Sequence, residues 1–432
     1  MKEKHSPWAW VPTLYIFEGL PYFVVNTISV IILKRLGLGN ADVAMYTGLL
    51  YLPWVIKPFW SPFVDIIRTK RWWILAMQLL MVLGIWCTAF SINEAVLSKG
   101  TTFYILLGAF WFTAFASATH DISADGFYML ALDEHTQAQF VGVRNTFFRL
   151  ASVFGQGVLV VVAGLLETYF GDIPNAWTAT MLLTSVILGG ITLWHVWALP
   201  KPQEDAGRFQ AEKASPRKIF REMGRSFSTF FRKKGVVAAM FFMLLYRLPE
   251  AFAVKMINPF FLDPASEGGL GLSTGDVGLV YGTFGAAALI AGGILGGLAA
   301  GRWGLKKCIW PMALSLTLPT LVFLWMAVAR PSSLLLIGAC VSLDQFGYGF
   351  GFTAYTLYMI YFSRGEFRTS HYSLCTAFMA LSMMLPGMVA GYLQEALGYE
   401  KFFWMVTACF VATFAAVLSV KVDSDYGKKK IS

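Results

Sequence analysis

The sequence predicts an all-α membrane protein with twelve transmembrane helices in two six-helix bundles. Three observations carry this. First, 57% of the 432 residues are hydrophobic and 14% are charged, too few polar residues to cover one water-soluble core. Second, apolar stretches of about 20 residues, the length that crosses a bilayer, recur along the whole chain. Third, a polar, basic segment at residues 200–235 divides these stretches into six and six. An ordinary soluble enzyme and a disordered chain are both excluded.

The expected spans cover residues 9–35, 42–62, 72–93, 102–131, 137–166 and 176–198 in the first half. In the second half they cover 236–262, 275–300, 307–329, 332–361, 368–393 and 399–420. The first stretch carries Glu18 and has no small-residue cleavage site after it, so it reads as a span and not as a signal peptide. Three domains follow: a first bundle at 1–199, a linker at 200–235 and a second bundle at 236–432.

Lysine and arginine set the orientation. With the N-terminus in the cytoplasm, 24 of the 34 basic residues fall on inner segments and five on outer loops. Both termini are therefore expected in the cytoplasm. This placement also accounts for the net charge of +9 without nucleic acid. Ten basic residues lie between Lys201 and Lys234. They read as a topology determinant, the alternative being contact with anionic lipid headgroups. The five cysteines are scattered and form no Cys/His cluster, so no disulfide framework and no metal site is expected. The chain has no phosphate-cradling loop, and no cofactor is expected.

The halves resemble each other. Leu20-Pro21-Tyr22 matches Leu248-Pro249-Glu250, Asn40-Ala41-Asp42-Val43-Ala44 matches Thr274-Gly275-Asp276-Val277-Gly278, and Tyr128-Met129 matches Tyr358-Met359. Internal repeats of this kind mark secondary transporters, whose binding site lies near the midplane between the repeats. Gly293, Gly297 and Gly301, four apart, predict close helix packing at the eighth span.

Five basic residues and several acids fall inside spans, where an ionisable group costs about 2.5 kcal/mol or more and is a functional candidate by default. Asp121 and Asp125 are four apart and share one helix face. Two carboxylates one turn apart in low dielectric resist double ionisation, so one becomes a proton acceptor. His120 points about 100° away from that face and reads as a polar contact. Helical rise puts Asp125 about 9 Å and Arg144 about 10 Å from the inner surface, and Asp121 about 15 Å and Arg149 about 18 Å. Depth therefore pairs Asp125 with Arg144 and Asp121 with Arg149. At least one pair is expected to exchange partners in transport, protonation of the aspartate freeing the arginine for an anionic group; two permanent salt bridges are the alternative.

Glu18 and Asp344 complete the proton-site candidates. Arg247 and Lys255 on the seventh span are candidate carboxylate binders, and Glu250 reads as an ion-pair partner for one of them. Lys57 reads as a side chain reaching for headgroups. Tyr22, Tyr128 and Tyr246 offer flat rings for stacking a sugar, as do Tyr15, Trp111, Tyr281 and Tyr355. Asn26 and Gln156 are uncharged polar candidates within spans. Most aromatic residues in such a chain are core or interfacial.

Six plus six spans with a basic linker, and the stretch Asp65-Ile66-Ile67-Arg68-Thr69-Lys70-Arg71, resemble the major facilitator superfamily. Within it the chain resembles the AmpG-like muropeptide permeases and their acetyl-CoA-transporter relatives. The motifs are Glu18-Gly19-Leu20-Pro21-Tyr22, Lys57-Pro58-Phe59-Trp60-Ser61-Pro62-Phe63-Val64-Asp65 and His120-Asp121-Ile122-Ser123-Ala124-Asp125. Tyr246-Arg247-Leu248-Pro249 and Asp276-Val277-Gly278-Leu279-Val280-Tyr281-Gly282-Thr283 continue them. AmpG-like proteins usually carry Gln where this chain has His120. The resemblance implies a monomeric inner-membrane symporter that uses protons to import an anhydromuropeptide or its GlcNAc-anhydroMurNAc core. It implies that the first, fourth, seventh and tenth spans line the cavity. The same fold could carry a simple sugar, a siderophore, an acyl-CoA-like anion or an exported drug. An integral membrane enzyme is the alternative of another class.

Overall fold

A computed structural model describes residues 6–61, 64, 68–93, 99–132, 134–201, 216–365, 368–423 and 426. Residues 65–67 of the acidic-then-basic stretch, residues 202–215 of the basic linker and the lysines at the extreme ends of the chain lie outside the described residues. The described residues are helical, without strands. The helices are α1 (Pro7–Arg35), α2 (Asn40–Leu49), α3 (Lys70–Ser91) and α4 (Thr101–Ala131). Then come α5 (Glu134–Val153, continued by Val160–Phe170), α6 (Ile173–Ala198) and α7 (Pro216–Phe231). The rest are α8 (Val236–Leu262), α9 (Thr274–Trp303), α10 (Leu305–Ala329), α11 (Leu334–Phe362), α12 (Arg368–Ala408) and α13 (Phe410–Ser419).

Ten described stretches are long and apolar enough to cross a membrane. Two further expected spans are present in other forms. The stretch His371–Ser419 holds two spans that meet at Gly398, whose φ of 75° breaks the helix. Only glycine takes that conformation without steric cost. The second expected span is broken, into α2, the short helix Leu52–Ile56 and a 3-10 turn at Lys57–Phe59. Pro53 and Pro58 remove the amide donors a continuous helix would need.

The chain folds into two compact units, Met1–Gly37 with Ile56–Met223, and Leu38–Val55 with Gly224–Ser432. The segment Leu38–Val55, which the sequence puts in the first bundle, thus packs within the second unit.

In the first unit α1 crosses α5 closely. A side chain on Gly19 would lie 2.7 Å from Ala151 Cβ, so only glycine admits this approach. Both helices carry a π-turn, at Val24–Ile28 in α1 and Phe154–Leu159 in α5, which places Asn26 and Gln156 within local departures from α-helical bonding. A buried polar chain links α1, α3, α4 and α6. The Gln78 amide nitrogen lies 3.1 Å from His120 Nε2 and 2.8 Å from His195 Nδ1, and His195 Nε2 lies 2.8 Å from Thr13 Oγ1. His120 is thus fully buried in a contact away from the carboxylates, as its helical angle implies.

In the second unit α9 packs on α11 through one of the three expected glycines, Gly293, whose amide nitrogen would lie 2.9 Å from a side chain on Gly349, and through two others. Added side chains at Gly292 and Gly296 would run into the α11 backbone, whereas Gly297 and Gly301 face open space. The 3.6-residue turn explains the shift: the stripe at intervals of four drifts around the helix, and its neighbours face the partner.

The docking of α2 within this unit is polar. Asn40 Nδ2 donates to Gln394 Oε1 at 2.7 Å, Tyr399 OH at 2.9 Å and Asp263 Oδ2 at 3.1 Å. Tyr399 OH donates to Asp263 Oδ2 at 2.5 Å. Glu395 Oε1 accepts the Ala41 amide at 2.7 Å, so an α12 carboxylate satisfies an orphan donor at the N-terminus of α2. Asn40, Asp263, Gln394 and Tyr399 are all buried. Asn40→Leu removes the donor and leaves the buried Asp263 and Gln394 acceptors short of a partner. It is expected to destabilise the protein by about 1–3 kcal/mol, read as a lower thermal unfolding midpoint in detergent. An unchanged midpoint would show that the cluster adds nothing to stability.

Candidate functional site

The densest set of buried charge in the first unit draws on α1, α4, α5 and the 3-10 turn after the broken second span. Glu18 and Tyr15 come from α1, Asp121 and Asp125 from α4, Arg144 from α5 and Lys57 from the turn. Asp125 and Arg144 form an ion pair, with Oδ1 and Nη2 2.7 Å apart, as depth predicts. Tyr15 OH donates to the same Oδ1 at 3.4 Å. The Arg144 guanidinium sits 4.6 Å from the Tyr15 ring centre and 5.7 Å from that of Tyr128, within cation–π range. The two rings meet edge to face at 6.0 Å.

Asp121 pairs with Lys57, through Oδ2 and Nζ, and not with Arg149 as the depth comparison predicts. Nor does Lys57 reach away from the bundle; both expectations are corrected here. The reason is the broken helix. The 3-10 turn at Lys57-Pro58-Phe59 delivers the ammonium to α4 at the level of Asp121. Arg149 is half-buried on α5.

Glu18 completes the set. It is 7% exposed, and its Oε2 is buried without a hydrogen-bond partner among the described residues. Three carboxylates of the set thus share its two cations, and neither cation is paired with Glu18. By contrast, the Asp125 and Arg144 side chains are 38% and 28% exposed, so this pair is not sealed between helices. An intramembrane ion pair left this open is suited to a cavity wall, since charges facing lipid are costly.

Of the other first-unit candidates, Asn26 donates to the Tyr22 carbonyl at 3.1 Å and Gln156 to Ser152 Oγ at 2.8 Å, each one turn back on its own helix. The Tyr22 ring lies 6.2 Å from that of Phe148. These three line the α1–α5 contact.

The second unit has its own charge pair. Helix α8 breaks at Tyr246–Arg247, just before Pro249. Arg247 donates from Nε and Nη2 to the two oxygens of Glu250 at 2.8 and 2.7 Å, and from Nη2 to Tyr348 OH at 3.1 Å. Its guanidinium lies 4.8 Å from the Phe352 ring centre and 5.4 Å from that of Tyr348. Glu250 is therefore Arg247's partner. Tyr246 is fully buried, stacks on Tyr355 at 5.5 Å and donates to the Gly351 carbonyl at 3.0 Å. Lys255 is buried too, donating to the Thr47 carbonyl and hydroxyl at 3.2 Å each. Asp344 accepts from Thr320 at 3.4 Å and from Gln345 at 3.2 Å.

Sequence reasoning missed Gln78, His195 and Thr13, the Asn40 cluster, and Tyr348 and Phe352 around Arg247. A buried amide or histidine within an apolar span is the signal that flags such partners, since each must find a hydrogen bond there.

A multi-span helical protein with intramembrane ion pairs in each of two repeat-related units, one of them partly exposed, has the construction of a secondary transporter. The chain belongs to the Major Facilitator Superfamily, whose family model matches residues 13–385. It is a multi-pass membrane transporter and not an enzyme. It is 23% identical over 399 residues to the putative transporter AmpG 4 of Rickettsia felis, covering 90% of each chain. It is 23% identical over 378 residues to the anhydromuropeptide permease of Escherichia coli, covering 86% of this chain and 71% of that one. Among solved structures, the nucleoside transporter NupG matches with a TM-score of 0.70 and 13% identity over 95% of this chain and 99% of that one.

Proposed function

We propose that this transporter imports a peptidoglycan-derived anhydromuropeptide, or its GlcNAc-anhydroMurNAc core, together with protons, by alternating access. The observation that carries the reading is the set of three carboxylates around two cations. One carboxylate too many in low dielectric is a place to hold a proton. When Asp125 takes that proton, Arg144 loses its paired anion and can bind a carboxylate of the cargo, and Glu18 beside it is the carboxylate with no cation of its own. The lactyl carboxylate of the anhydro sugar suits Arg144, and the Tyr15 and Tyr128 rings beside it offer a surface for the sugar. Arg247, with Tyr348 and Phe352, is the corresponding element of the second unit. Asp344 is a further proton-site candidate, and Arg149, Lys255, Asn26, Gln156, Tyr22 and Tyr246 support the helices that carry the site. The names of the relatives support this cargo. The lysine and arginine distribution supports cytoplasmic termini, and the resemblance to AmpG-like permeases supports an inner-membrane monomer.

The test is uptake of radiolabelled GlcNAc-anhydroMurNAc by proteoliposomes holding the purified protein, with and without an inward proton gradient. Uptake is expected to follow the gradient, and Glu18→Gln to remove that dependence. Uptake indifferent to the gradient in the unaltered protein would end the proton-coupling reading. No uptake, by protein whose unfolding midpoint another sugar or anion raises, would end the cargo reading.

A further inference from the structure

Helix α7 is amphipathic in an unusually ordered way. At 100° per residue, Arg221, Arg225 and, just past its end, Arg232 fall within one stripe about 40° wide. Phe227, Phe230 and Phe231 fall on the other side.

The C-terminal half of α7 is fixed to its unit through the apolar side. Phe230 is fully buried and its ring meets Phe362 and His371 at 5.5 Å each and Phe378 at 6.2 Å. His371 Nε2 lies 3.1 Å from the Ser226 carbonyl and 3.2 Å from Thr229 Oγ1. Lys233 donates to the Phe362 and Arg364 carbonyls at 2.6 and 2.7 Å, satisfying acceptors left open at the end of α11. These contacts fix the height of α7. Phe362 is the last residue of α11, His371 lies in the first turn of α12, and α8 starts at Val236. The helix therefore lies where spans end, at the boundary between hydrocarbon and headgroups.

Arg221, Arg225 and Arg232 are exposed on the opposite side. Each is a planar fork suited to phosphate oxygens. A row of such groups at headgroup height, on a helix anchored to the protein through Phe230, has an anionic bilayer surface as its complementary occupant. We infer that the arginine stripe of α7 is a binding site for the phosphate headgroups of anionic phospholipids. This goes beyond setting topology, since a topology determinant acts during insertion and needs no order among its charges. The inference does not depend on the cargo.

The experiment is native mass spectrometry of the full-length protein released from mixed micelles holding equal phosphatidylglycerol and phosphatidylcholine. The unaltered protein should retain phosphatidylglycerol in excess. Exchange of Arg221, Arg225 and Arg232 together for Gln should lower that excess by roughly fivefold for each charge removed. Exchange of the same three for Lys should keep most of it and shows that the helix tolerates change at these positions. Equal retention of the two lipids by the unaltered protein, or an undiminished excess in the Gln variant, overturns the inference. So does displacement of the lipid by millimolar inorganic phosphate, which would assign the stripe to a free anion.

Discussion

Arg144→Gln should raise the cargo concentration for half-maximal uptake by roughly 10- to 100-fold, the loss of one charge-assisted hydrogen bond to an anion. The substitution keeps an amide donor but removes the charge and the fork. It also ends the cation–π contacts with Tyr15 and Tyr128. Because the Asp125–Arg144 pair is partly exposed, its removal should cost little stability; solvent can take over the Asp125 carboxylate. Kinetics and stability therefore separate. A large rise in half-saturation with a near-constant unfolding midpoint supports Arg144 as a cargo contact. A parallel collapse of both would make the pair structural. Arg144→Lys sharpens the reading: it keeps the charge, loses the planar fork, and should fall between the two.

The fold was legible because its cause is coarse. Twenty apolar residues must cross or be buried, and lysine and arginine mark their ends, so span positions follow from composition alone. The candidate site was legible where helices are regular. Asp121 and Asp125 share a face through simple periodicity, and Asp125 meets Arg144 because both helices run undistorted from a common surface. Depth counting failed at Lys57 because two prolines replace helix by a 3-10 turn there, and rise per residue no longer measures position. The polar cluster around Asn40 was invisible for another reason. It joins residues 354 and 359 positions apart, and nothing in the local pattern of Asn40, Gln394 or Tyr399 points to the others.

The Lys57–Asp121 pair allows the sharpest separation of structure from transport. Its side chains are 14% and 19% exposed, much drier than the Asp125–Arg144 pair. Removing one member of a buried pair leaves an uncompensated charge and costs about 3–5 kcal/mol; incomplete burial puts this pair near the lower figure. Asp121→Asn and Lys57→Met should thus each lower stability by about 3 kcal/mol, measured by unfolding in mixed micelles. The double variant removes both charges and should recover most of the loss, because well-packed neutral groups often replace a buried ion pair without penalty. Additive losses would mean that the two side chains do not stabilise one another. The double variant then bears on transport. If Asp121 takes and releases a proton against Lys57 during the cycle, the stable double variant should lose gradient-driven accumulation and still exchange labelled for unlabelled cargo. If the pair only holds α4 against the broken second span, the same variant should accumulate cargo as the unaltered protein does. Stability restored with accumulation lost is the combination that a purely structural bridge cannot produce.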